Sequence, residues 1–237
     1  MGMPIPPKKL RFIEKGSEGD FLREADIRAR AVMPHLSQDT HLLDVGSGYA
    51  RLLYGLRRAG WGGRYTGLEV MAKHVAWCQE HLTDERTTFV HLDVVNDRYN
   101  KKGSVKPAEV DLPTADVAVL LSVFTHMWPE DTAAYLRALR RALPVGGKVL
   151  ATWFLDSRRM RGQRALGRAM FDVRHPAGPD AVVMTADNPL YVIAPRERWV
   201  RREVAAAGFD MESLHYGTWV HGRGPLVQDL TVLRARA

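Results

Sequence analysis

A chain of 237 residues with 46% hydrophobic content can bury one sizeable core, so a single domain over 1–237 is expected. No run of 18 apolar residues occurs and the opening MGMPIPPKKLRF has no apolar stretch behind its charges, so neither a membrane span nor a secretory signal is expected. The one cysteine, Cys78, excludes an internal disulfide framework and a cysteine-built metal or iron–sulfur cluster, and suits a reducing cytoplasm. The net charge of +7 admits acidic partners, nucleic acid included, but is equally the mark of an arginine-rich surface.

Strand and helix signals then alternate. Residues 20–35 carry a loose helical stripe through Phe21, Leu22, Ala25, Ile27, Ala29, Val32 and Met33, within an N-terminal helical segment of about 1–37. His41–Val45 reads as a strand, Gly46-Ser47-Gly48 as a tight turn, and Ala50–Ala59 as a helix. A second strand, Arg64–Leu68, ends at Glu69 and precedes a helix over Met71–Leu82; a third, Thr88–Leu92, ends at Asp93. Ala115–Leu121 is continuously apolar, as in a strand covered on both faces of a parallel sheet. Pro129 opens a helix through Leu143, closed by Pro144, Gly146 and Gly147, and Lys148–Leu155 is a fifth strand. Pro195 opens another helix, ended by Gly208. Met211–Trp219 and Leu226–Leu233, bridged by HGRGP, form a closing hairpin. The pattern implies a doubly wound, mostly parallel α/β sheet with an antiparallel C-terminal hairpin.

Ligands of open α/β sheets bind at the carboxyl ends of the strands, where Asp44, Glu69 and Asp93 fall. Gly46 and Gly48 leave room for the turn and for a ligand against backbone. After them come Tyr49, Ala50 and Arg51, so the last glycine of a dinucleotide fingerprint is missing and a nicotinamide-linked dehydrogenase is disfavoured. Glu69 lies 25 residues after Asp44, close to the spacing at which an acid accepts from a ribose diol; the alternative is a solvated turn residue. Asp93 is placed to accept from the exocyclic amine of an adenine, with the Val94 N–H facing a ring nitrogen; the alternative is a capping or turn aspartate.

The spacing Asp44-x-Gly46-x-Gly48-x-Ala50 resembles motif I of class I S-adenosylmethionine (SAM)-dependent methyltransferases. Glu69, Asp93 and the helix-ending PVGG of 144–147 follow in that family's order. The string Leu120–Leu155 is similar to a bacterial small-molecule methyltransferase group carrying SVFTHM after the fourth strand, as are YTGLEVMAKHVAWCQ and YGTWVHGRGPLVQDLTVL. Two departures, Glu69 for a common aspartate and Val145 for a proline, remove no needed chemical group. The resemblance implies a seven-stranded Rossmann-like methyltransferase fold and SAM as cofactor. It places Asp44, Gly46, Ser47, Gly48, Glu69, Val70, Asp93, Val94 and Ser122 at the cofactor, with Asp44 orienting the glycine loop and helping to bind the methionine amino group; a purely structural role is the alternative for Asp44.

In that family the methyl group points at the end of the fourth strand, which makes Ser122 and Phe124 a wall. His126 is the candidate general base, because an imidazole titrates near neutrality and can take a hydroxyl proton; the alternative is a packing role at the Pro129 helix. Trp128 and Trp153 are candidates to stack on an aromatic acceptor or cover the sulfonium, or else are core. The histidines form no HExxH or comparable cluster, so no metal is expected.

A substrate-side insertion of about 156–195 carries Arg158, Arg159, Arg161, Arg164, Arg168 and Arg174 among Met160, Leu166, Met170 and Phe171. It reads as an amphipathic basic helix, either solvated, a lid for an anionic group, or a nucleic-acid contact. The resulting expectation is a cytoplasmic SAM-dependent methyltransferase acting on a small-molecule acceptor, with oxygen favoured because of His126. Alternatives are an RNA or protein methyltransferase using the arginine segment, and a non-catalytic SAM-binding protein.

Overall fold

The computed structural model describes residues 2–11, 16–221 and 226–237. Helix α1 (Glu18–Val32) starts with a capping box: the Ser17 hydroxyl accepts from the Asp20 amide at 3.1 Å, and the Asp20 carboxylate accepts from the Ser17 amide at 2.9 Å. The chain then alternates through β1 (His41–Val45), α2 (Arg51–Arg58), β2 (Arg64–Glu69), α3 (Ala72–Leu82), β3 (Thr87–His91), β4 (Val117–Leu120), α4 (Pro129–Ala142) and β5 (Lys148–Trp153). These five strands pair in parallel in the order β3-β2-β1-β4-β5.

Beyond β5 lie α5 (Arg158–Ala165) and a separate antiparallel sheet of β6 (His175–Ala177), β7 (Ala181–Val183) and β8 (Ile193–Pro195). Then come α6 (Glu197–Ala206), β9 (Phe209–His215), α7 (Thr218–His221) and β10 (Asp229–Ala235). Strand β10 enters antiparallel between β5 and β9 and completes a seven-stranded sheet.

This is the α/β architecture with an antiparallel C-terminal hairpin that the alternation implies. Three details differ. The basic helix stops at Ala165, because Gly167 takes the left-handed conformation (φ +66°) and its amide closes back on Arg164 O. Pro195 ends β8, and α6 begins at Glu197. The strand expected over Met211–Trp219 ends at His215, and Trp219 lies in α7; of the HGRGP bridge, 222–225 lie outside the described residues. No helix among the described residues is long and apolar enough to cross a membrane.

The sheet separates two apolar layers. Leu136, Leu139, Trp199 and Val200 of α4 and α6 pack with Val149, Ala151 and Trp153 on one face. Phe21, Ala25 and Ala29 of α1 join Leu52, Leu53 and Leu56 of α2 and Val75 and Cys78 of α3 on the other. Each fully buried large side chain contributes about 1.5–3 kcal/mol, so these layers supply most of the drive to fold.

The α1–α2 contact is close because α2 carries Gly55. A Cβ there would lie 2.1 Å from Ala25 O and 2.8 Å from the Ala29 Cβ. Gly55→Ala gains about 1 kcal/mol of helix propensity but must push the two helices apart, at about 1–3 kcal/mol or more. The backbone clash wins, so chemical unfolding should show the variant less stable than the parent by about 1–2 kcal/mol. An unchanged or raised midpoint would contradict this account of the α1–α2 contact.

Candidate active site

Between β1 and β4 the strand order reverses, and a crevice opens above their carboxyl ends. The turn after β1 forms one lip. The Gly46 and Ser47 amides donate to Leu68 O at 2.7 and 3.0 Å, which pins the turn to the end of β2. Gly46 has φ +75°, and a Cβ there would lie 2.5 Å from the Val123 Cγ2. The Gly48 amide donates to Glu69 Oε2 at 2.9 Å, and the Met71 amide donates to Glu69 Oε1 at 2.9 Å.

The other lip follows β4. Ser122 holds a left-handed φ of +65°, secured by its amide donating to Thr152 Oγ1 (2.7 Å) and its hydroxyl donating to Gln228 Oε1 (2.9 Å). The Thr152 hydroxyl donates to the same Gln228 oxygen at 2.6 Å, so the ends of β4 and β5 and the start of β10 are tied together. A non-glycine residue in this conformation costs about 1–3 kcal/mol, which such ties must offset.

A cavity of about 920 Å³ lies between the lips. Asp44, Gly46, Ser47, Gly48, Glu69, Val70, Ser122 and His126 all line it. The structure adds lining residues that the sequence reading missed: Arg28 of α1, His74 of α3, Asn96, Arg98 and Tyr99 after β3, and Phe154, Phe171 and Tyr191 beyond β5.

Five residues expected at the ligand make other contacts in this structure. The Asp93 oxygens accept from Asn100 Nδ2 (2.9 Å) and from the Ser104 amide and hydroxyl (3.1 and 2.7 Å), so this acid braces the 94–105 loop and does not line the cavity. These bonds hold its carboxyl below the usual range. Val94 is buried and its amide donates to Leu92 O at 2.7 Å. Phe124 and Trp153 stack on each other in the core with centroids 4.5 Å apart, and the Trp153 indole N–H donates to Thr231 Oγ1 at 2.9 Å. Trp128 donates to Asp97 Oδ2 at 3.0 Å and packs beside the small sheet. Strand alternation decides the Trp153 case: its neighbour Phe154, with the opposite orientation, reaches the cavity.

Burial sets the charge states. Desolvation raises the Asp44 carboxyl to about 6, against the Tyr65 phenol, which donates to Asp44 Oδ2 at 2.6 Å, and against the positive charge of Arg28. Burial lowers the His126 imidazole to about 4, and Arg98 pushes the same way. His126 Nδ1 lies 2.9 Å from Leu190 O. A carbonyl only accepts, so the proton sits on Nδ1 and the lone pair on Nε2. Among the described residues the Ser47 hydroxyl, buried at the cavity wall, has no hydrogen-bond partner.

Residues 43–149 match the family model of a methyltransferase domain. The fold is shared with CalO1, a calicheamicin-biosynthesis methyltransferase solved with S-adenosylhomocysteine (SAH) bound (TM-score 0.58, 20% identity, 93% of this chain and 55% of that one). It is shared with human N-acetylserotonin methyltransferase in complex with SAM (0.56, 16%, 98% and 61%). It is shared also with the mitomycin 7-O-methyltransferase MmcR (0.58, 20%, 91% and 54%). This is the class I SAM-dependent methyltransferase fold. The chain spans a little over half the length of those three proteins.

The cavity of this methyltransferase fold has the donor set for SAM. Asp44 and Arg28 set opposite charges at its turn end, Glu69 is a buried acid beside them, and among the described residues the Ser47 hydroxyl has no hydrogen-bond partner.

The Tyr65–Asp44 bond yields a signed prediction. A carboxyl raised to about 6 contributes stability that is present below the ordinary carboxylate value and is lost as pH rises through about 6. Tyr65→Phe removes a donor to the ionised form, which raises that value further. The destabilisation by Tyr65→Phe, read by urea unfolding, should therefore be larger at pH 8 than at pH 4.5, by on the order of 1–2 kcal/mol. Equal losses at both pH values would show that the phenol does not hold the Asp44 charge.

Proposed function

We propose that the protein transfers a methyl group from SAM to a small-molecule acceptor, with oxygen as the atom methylated. The observation that carries this reading is one cavity, charged at the glycine-turn end and aromatic around a neutral histidine at the β4 end. Its volume of about 920 Å³ lies at the upper end of the roughly 300–1,000 Å³ usual for small-molecule sites, so it suits a nucleoside cofactor and a compact acceptor together. CalO1 and MmcR, named for roles in calicheamicin and mitomycin chemistry, support a small-molecule acceptor by analogy of fold. The expected basic helix is weaker support for a nucleic-acid substrate: Arg161 pairs with Asp156 at 2.8 Å, Arg174 pairs with Asp172, and Arg164 donates to Val173 O.

SAM supplies an electrophilic methyl carbon on its sulfonium. The protein holds and orients its two ends: Asp44 and Arg28 take the amino-acid end in the clearance left by the Gly46–Gly48 turn, and Glu69 the ribose hydroxyls. Phe154, Tyr191 and Met127 exclude water from the acceptor side, where an in-line approach must be held. His126 offers its Nε2 lone pair. An imidazole at about 4 does not ionise a phenol beforehand. It accepts the proton as the O–C bond forms and that oxygen becomes strongly acidic.

Calorimetry should show SAM and SAH binding to the wild-type protein, and a radiolabelled-methyl assay over hydroxylated small molecules should show transfer. His126→Gln should lower turnover by about 10²–10⁴-fold with SAH affinity unchanged. The acid limb of wild-type turnover assignable to this histidine should lie near 4, not near 6.5. SAM binding without transfer to any acceptor would favour the non-catalytic reading, and near-normal turnover of the variant would remove His126 as the base.

A further inference from the structure

The acceptor end of the cavity holds a cation that the reaction does not use. Arg98 sits with its guanidinium carbon 5.2 Å from the Tyr99 ring centroid and 5.2 Å from that of Tyr191. Among the described residues no carboxylate pairs with it, and its buried Nε has no hydrogen-bond partner. Asp97 and Asp131, the acids of this region, are turned to other neighbours: Asp97 accepts from Trp128, and Asp131 faces Glu130 and Asp97.

The backbone that presents Arg98 is built tightly. Asn96 Oδ1 accepts from the Arg98 and Tyr99 amides at 3.0 and 2.9 Å, and Asn96 and Asn100 exchange backbone bonds at 3.0 Å. Asp93, freed from the adenine role, clamps Asn100 and Ser104 and so anchors the same loop. Stacking between two rings costs a guanidinium little and leaves its in-plane donors for a planar partner. An arginine kept half-buried without an acid is costly unless a ligand supplies the charge.

Resting on the proposed methyl transfer, we propose that Arg98 recognises an oxyanion on the acceptor, and that the acceptor is an aromatic hydroxy acid. Its ring lies against the aromatic wall of Tyr99, Tyr191, Phe154 and Phe171, its carboxylate or sulfonate meets the Arg98 fork, and its hydroxyl faces His126. The same contact couples recognition to chemistry. A bound anion offsets the Arg98 charge, which adds to the lowering of the imidazole that burial mainly causes.

The test uses the SAH-loaded protein and matched neutral and anionic probes: hydroxybenzoates, hydroxycinnamates and a hydroxybenzenesulfonate, each against its amide or sulfonamide, titrated by intrinsic fluorescence. At least one acid should bind roughly ten-fold or more tightly than its amide. Arg98→Gln should abolish that difference and leave SAH affinity unchanged. The carboxylate and sulfonate arms tell which oxyanion the fork prefers.

The proposal is overturned if no acid binds better than its amide, or if Arg98→Gln keeps the discrimination. It is equally overturned if Arg98→Gln weakens SAH itself, because the arginine then serves the cofactor. Failure of wild-type protein to bind SAH at all would instead overturn the methyltransferase reading. If Arg98→Gln does not fold, the wild-type acid–amide comparison still decides.

Discussion

Because β1 and β4 are neighbours whose connections leave toward opposite edges of the sheet, nothing covers the ends of these two strands from within the sheet itself. The crevice there is a consequence of topology, and the local chemistry serves to keep it open. Gly46 allows the turn to pass Val123 closely, and Leu68 O takes up the two leading amides of the turn. Across the gap, Thr152 and Gln228 hold Ser122 in a conformation that serine adopts rarely. The amides at 46 and 47 are committed to the sheet and do not form an anion cradle. The turn therefore differs from a pyrophosphate loop in its committed amides as well as in its missing glycine: it supplies clearance, with charged side chains around it.

Burial gives the two ends of the cavity complementary protonation. With Asp44 at about 6 and His126 at about 4, neutral pH leaves the acid ionised and the imidazole uncharged. Both are displaced by desolvation above all, in opposite directions on the charge scale, since a low-dielectric site disfavours whichever form carries charge. An ionised carboxylate and an uncharged imidazole then share the same solvent-poor space. Inserted between β5 and α6, the small sheet closes the acceptor end; Asp156 holds its two bases together by accepting from Arg161 and facing Arg196 at 3.6 Å.

The alternation of apolar runs and turns made the sheet and its helices legible, because each element has the period and the stop signals of its type. The turn residues, Asp44, Glu69 and Ser122 were legible as well, since strand ends fix where such side chains stand. Reading failed where a face or a tertiary partner decides. Trp153 and Phe154 are adjacent aromatics at a strand end, and only the phase of the sheet tells which one faces the cavity. Asp93 has the right position for a ligand, but Asn100 and Ser104 arrive from eleven residues of irregular loop and claim it. Arg28 and Tyr191 reach the cavity from an N-terminal helix and from an insertion, and no local pattern points them there. Arg98 was hidden in the same way, in a loop without periodicity.

The central claim is that one cavity orders a cofactor from the glycine turn to the histidine, so that the reactive end arrives at the aromatic wall. A crystal structure of the protein with SAH bound tests it most directly. The account predicts the amino-acid end beside Asp44 and Arg28, the ribose hydroxyls on Glu69, and the sulfur facing the space before His126 and Tyr191. SAH lying with its sulfur turned away from His126, or bound outside this cavity, would contradict it.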